Sequence, residues 1–300
     1  MKTLFFNMQL LMFLFATLTI QNINSQTPQN KYIYFSSEAN SAGRDICRID
    51  TNGATRIKLT SNNGNGHYPH HINPKISPDG TKIVYQSDTD RHDKYAIWIM
   101  NIDGSDKKRI TLKEGMYPNW SPDGKKIIFS GRRNGIWEII TIPSSGGGET
   151  NLTQNFKEKN PPGWGAVSTY HPNGKTIVFS YVREKVLYIM NLETKEITQN
   201  SPSNHRYTQP IFSIDGTQLA AIRKIDKSYH LIIKSTKNDS IKIVSKNVIS
   251  YSAPSWSHSG KEILFTGMVN GNQQLFKINL ETKKETQLTN NNTFNAMPTW

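Results

Sequence analysis

A four-residue turn, written out five times, restricts this chain more than any other feature of its sequence. Ser77-Pro78-Asp79-Gly80 recurs as Ser121-Pro122-Asp123-Gly124. Weaker copies stand at His171-Pro172-Asn173-Gly174, Ser213-Ile214-Asp215-Gly216 and Ser257-His258-Ser259-Gly260. The turn glycines are roughly 42–50 residues apart, the period of a propeller blade. Asp-Gly or Asn-Gly between two apolar runs marks a tight hairpin, because the turn needs a positive φ that glycine adopts freely.

Each turn is followed by a β-rich run, such as Ile83-Val84-Tyr85, Ile127-Ile128-Phe129, Ile177-Val178-Phe179 and Ile263-Leu264-Phe265. A second run comes next, as in Ala96-Ile97-Trp98-Ile99-Met100 and Leu275-Phe276-Lys277-Ile278. A shorter third run closes most units, as in Arg109-Ile110-Thr111 and Gln287-Leu288-Thr289. The strand entering the turn makes four short strands per unit. The unit beginning at Tyr32-Ile33-Tyr34-Phe35 lacks that first strand, and Ala296-Met297-Pro298-Thr299-Trp300 aligns with it. Five whole units and one shared between the ends predict an all-β fold, a six-bladed β-propeller over residues 31–300. Closing the ring this way leaves no free sheet edge at the seam.

Composition narrows the class further. One cysteine, Cys47, excludes a disulfide framework. A mean hydropathy of -0.58 with a single apolar run excludes a multi-span membrane protein. That run, Leu10 to Ile20, follows Lys2 and leads into a polar stretch ending at Ser25. It is too short to span a bilayer and reads as a secretory signal over residues 1–25. The expected location is therefore periplasmic or secreted, with no transmembrane span after cleavage.

Tyr117 to Ser130 reads YPNWSPDGKKIIFS. This resembles the repeat P-x-W-S-P-D-G-K-x-I-x-F-x-S of the TolB-like six-bladed β-propellers, a WD40-like, PD40-type family. The resemblance covers the repeats alone, about residues 31–300. It implies the propeller fold, whose members serve as binding modules, lyases and peptidase gating domains, so function has to come from the site.

The loop leading into each innermost strand opens on the central channel, and ligand groups are expected there. Aligned just upstream of Pro74, Pro118, Ser168, Pro210, Pro254 and Pro298 are His70 and His71, Tyr117, Trp164, Tyr207 with Gln209, Tyr251, and Phe294. Aromatic faces beside hydrogen-bonding groups suit a sugar ring, a peptide or a partner's aromatic anchor. Trp120, Trp256 and Trp300, inside the innermost strands, read as core. The expected function is an exported, non-catalytic, monomeric propeller without a cofactor, binding an envelope protein or an anionic glycan at the channel mouth.

The alternative is a metal-dependent polysaccharide lyase. His71, His205 and Gln209 enter from opposite sides of the ring and could hold Mn²⁺ or Zn²⁺. The pattern is similar to TolB-fold oligogalacturonate lyases, which use His and Gln in the channel. Asp88-Thr89-Asp90-Arg91-His92-Asp93 lacks the ordered spacing of a calcium loop and reads as a solvated turn. The formal charge of +13 is spread over several blades without a dense basic stripe, so nucleic acid is not an expected partner.

Overall fold

The computed structural model describes residues 31–39, 43–61, 68–156, 165–182 and 185–300. The proposed signal segment and Trp164 lie outside the described residues. Six four-stranded antiparallel sheets account for the regular structure, and no helix occurs among the described residues. Five sheets run in chain order from the channel outward. Their innermost strands are His71–Ile76, Gly115–Trp120, Ala166–Tyr170, Arg206–Phe212 and Ser255–Trp256. In the first blade, Asn295–Thr299 takes the innermost place beside Tyr32–Ala39, followed by Gly43–Asp50 and Ile57–Lys58. The ring closes as the sequence predicts, with Ser36 opposite Ala296 and Ser37 opposite Asn295.

The repeated turn folds locally for a visible reason. In the copy at Ser77, the hydroxyl donates to Asp79 at 2.5 Å and accepts the Lys82 amide at 2.9 Å. The Asp79 carboxylate accepts the Thr81 amide at 3.0 Å. Gly80 sits at φ 73°, where a Cβ would be strained. The Ser77 hydroxyl and the Thr81 amide both hold the Asp79 carboxyl below the ordinary range. The same bonds recur at Ser121 with Asp123 and at Ser213 with Asp215.

The core is divided by seams. Each of six apolar clusters joins one blade to the next. Val84, Ile97 and Ile99 of the second blade meet Trp120, Ile127 and Phe129 of the third. At the closing seam, Leu264, Leu275 and Leu288 of the sixth blade meet Ile33, Phe35, Cys47 and Ile49 of the first, with Trp300 packed against them. Sheets this twisted bury both faces only by stacking on a neighbour at each side, so each blade depends on two others.

Polar bonds stitch the same seams. In five of the six blades the residue after the aromatic of the second strand reaches the next blade. Ser36 accepts the Asn73 amide at 3.2 Å, Gln86 accepts that of Tyr117 at 2.8 Å, and Ser130 accepts that of Ala166 at 2.9 Å. Thr266 accepts the Met297 amide at 3.1 Å, across the closing seam. At Asn73, Tyr117 and Met297 these acceptors satisfy amides that a bulge removes from the sheet ladder. The bulge residues Asn73, Tyr117, Gln209 and Met297 each precede a proline, with φ between 55° and 57°.

Asp88 departs from the solvated turn read in the sequence. Residues 89–94 are exposed, but Asp88 itself is buried. Its carboxylate accepts the His70 amide at 2.6 Å and the Asp93 amide at 3.3 Å, anchoring the loop that leads into the second blade.

Candidate functional site: the two ends of the central channel

The innermost strands run from an inlet end, where the loops from the preceding blade arrive, to a turn end carrying the repeated tetrapeptides. The sequence places its candidates at the inlet. There Ile72, Ala253, Ala296 and Met297, drawn from three blades, form a buried apolar cluster with Tyr95 and Phe294 packed against it. Below it the channel narrows to a void of about 20 Å³, lined by Asn73, Lys75, Tyr117, Asn119, Ser168 and Gln209 among others. That space suits about one water molecule.

The candidates fall into two groups. Tyr207 and His71 are buried, at 1% and 5% exposure, and present no free ring face at the inlet. The Arg223 guanidinium lies over Tyr207, 5.5 Å from the ring centre, and the His71 ring meets Tyr85 edge-on at 5.9 Å. Phe294 is half-buried with the Arg44 guanidinium 4.1 Å above its ring. Tyr251 is 41% exposed, and its hydroxyl accepts from the Gln273 amide. His70 is half-buried and Tyr117 and Gln209 reach the void.

Neither of the two candidate histidines, His71 and His205, lines the void that Gln209 reaches. The His71 ring is enclosed beside Tyr85, with both ring nitrogens unpaired, and burial lowers its pKa to about 4. His205 packs against the Tyr207 ring rather than the channel void. Gln209 shares the void with Lys75, whose ammonium would repel a divalent cation in that confined space. Among the described residues, no group of three or more His, Cys, Asp or Glu side chains converges.

At the turn end the channel widens into a funnel of about 360 Å³. Its floor takes one residue from every blade: Lys75, Asn119, Thr169, Ile211, Ser255 and Thr299. Its wall takes the next residue of each: Ile76, Trp120, Tyr170, Phe212, Trp256 and Trp300. The indoles are tied in place from blade to blade. Trp120 donates to the Lys75 carbonyl at 2.9 Å and Trp256 to that of Ile211 at 3.3 Å. Trp120 and Trp256 belong to the core, as read from the sequence, and they also line this funnel.

The profile of the TolB β-propeller domain, built from PD40 repeats, matches residues 67–196. The crystal structure of TolB from Acinetobacter baumannii superposes with a TM-score of 0.77 at 19% identity, covering 91% of this chain and 67% of that one. The fold is a six-bladed β-propeller similar to that of TolB. The Tol-Pal system protein TolB of Francisella tularensis is 26% identical to it over 231 residues, 70% of this TolB-like chain and 50% of that protein. The chain spans about half the length of the curated relatives it matches. An oligogalacturonate lyase in complex with manganese superposes with a TM-score of 0.56 at 12% identity, covering 85% of this chain and 73% of that one. That likeness concerns the fold alone.

Proposed function

We propose that this TolB-like chain is an exported, non-catalytic propeller that docks an envelope protein on its inlet face. One observation carries the reading. Five of the nine large apolar side chains left exposed among the described residues, Tyr68, Leu112, Ile136, Tyr251 and Met268, lie at the inlet end by the blade topology, while Ile57, Ile241 and Ile243 sit in outer strands and Ile214 in a turn. Exposed apolar residues gathered on one face of a propeller suit a protein partner better than a polar glycan. The likeness to a Tol-Pal system TolB over most of this chain supports an envelope role. The leader-like residues 1–25 support export to the periplasm or beyond. Tyr251 and the guanidinium-covered Phe294 offer a rim where an aromatic and an acidic side chain of the partner would both find contacts.

The test is chemical cross-linking of the full chain in its native envelope, compared with Leu112→Asp and Tyr251→Ala. Both positions are exposed, so both variants are expected to fold and to lose the cross-linked partner. A partner retained by both variants would move the docking face elsewhere. Recovery of the uncleaved chain in the cytoplasm alone would remove the export part of the reading.

A further inference from the structure

Lys75 is the one charged residue in the floor ring of the channel. It lines both the narrow void and the funnel. No acidic side chain lines either space, and the ammonium makes no hydrogen bond or ion pair among the described residues. Lys75 is half-buried, and burial lowers its pKa to about 8, so at neutral pH the proton is still held. An uncompensated cation in a confined space is costly, and an anion delivered from the open end would relieve that cost.

The shape of the space says what kind of anion. Beyond Lys75 the channel has room for about one water. A ligand larger than water therefore stops at the floor, where its charge meets Lys75. Above the floor the wall is aromatic on five of six sides, held by the indole bonds to neighbouring blades. Asn119, Ser255 and Thr299 add neutral hydrogen-bonding groups beside Lys75. A cavity of about 360 Å³ is at the small end of ligand sites. It is too small for an oligosaccharide and of the right order for one aromatic ring on a short stem.

We propose that the turn-side funnel binds a small monocarboxylate with one aromatic or short aliphatic body. The carboxylate meets the Lys75 ammonium, and the body lies against the half-buried Trp300 and the edges that Trp120, Phe212 and Trp256 show to the funnel. This site lies at the opposite end of the channel from the proposed docking face and stands independently of it.

Hydrocinnamate serves as the probe, with its neutral amide as the control. Three tryptophans in the wall report binding through their fluorescence, and calorimetry gives the affinity. The acid is expected to saturate the site and the amide to bind about tenfold more weakly or worse, since a charge-assisted contact is lost. Lys75→Met keeps the stem, removes a half-buried charge that has no partner among the described residues, and is expected to melt no lower than the parent. It should lose the same tenfold preference for the acid. Equal binding of acid and amide, an unchanged affinity in Lys75→Met, or no saturable binding of the acid would each overturn the proposal. A short peptide ending in phenylalanine with a free carboxylate carries the same chemistry. If it binds more than tenfold tighter than the free acid, the small-molecule source is overturned.

Discussion

The Trp300 indole donates to the backbone carbonyl of Ser255 at 3.3 Å, tying the closing strand to the sixth blade while its neighbours pair with the first. One side chain therefore spans the seam on which the ring depends. The same bond joins Trp120 to Lys75 and Trp256 to Ile211, so the closing seam is built like the internal ones.

Trp300→Ala should cost about 2 kcal/mol in denaturant unfolding, less than a fully buried tryptophan because Trp300 is half-buried. Removing 296–300 should cost more, since Tyr32–Ala39 then becomes an open edge. An unchanged midpoint in the truncated chain would contradict closure by this strand.

Ser130 offers a cleaner test of the polar stitches. Its hydroxyl accepts the Ala166 amide at 2.9 Å, and both residues are fully buried. Ser130→Ala leaves that amide without a partner, at an expected cost of about 1–3 kcal/mol. Hydrogen exchange at Ala166 should accelerate in parallel. A neutral substitution would mean that the stitch adds no stability.

His71 predicts an acid-sensitive fold. Burial lowers its pKa from 6.5 to about 4. Above pH 6.5 the imidazole is neutral in both folded and unfolded chains, and its titration contributes no slope. Between 6.5 and about 4 the unfolded chain binds a proton that the folded chain refuses, so stability falls as pH falls. The full loss is on the order of 3 kcal/mol. Unfolding free energies measured across this window should show the decline, and His71→Phe should flatten it. Equal slopes in the two proteins would refute the assignment.

Metal content separates the binding module from a lyase. Protein purified without chelators is expected to hold less than stoichiometric Mn and Zn. One equivalent per chain, lost on replacing Gln209 or His205, would restore the lyase reading despite Lys75.

The architecture was legible because its signals are local. Ser77, Asp79 and Gly80 specify their turn through bonds within six residues, and the copies set the blade count. The channel was harder to read because of the bulges. Between Met116 and Asn119 the strand advances three residues while its partner advances two, from Ser130 to Ile128. Alternation of faces slips by one there, so counting upstream from the turn cannot say which side chains enter the channel. Tyr207 illustrates the result: it aligns with exposed Tyr251 only in the count, and it lies buried under Arg223. Lys75 did leave a signal. Its position after the inner-strand proline is occupied in other blades by Asn119, Ile211, Ser255 and Thr299, and it alone carries charge.

The composite first blade also orders events in time. Ser37 bonds to Asn295, a partner 258 positions later. While a ribosome works through the intervening codons, Tyr32–Ala39 has no inner mate and the other blades can stack only as an open arc. Nascent chains of this protein thus carry an unsatisfied β-edge through most of translation, a window in which a chaperone has something to hold.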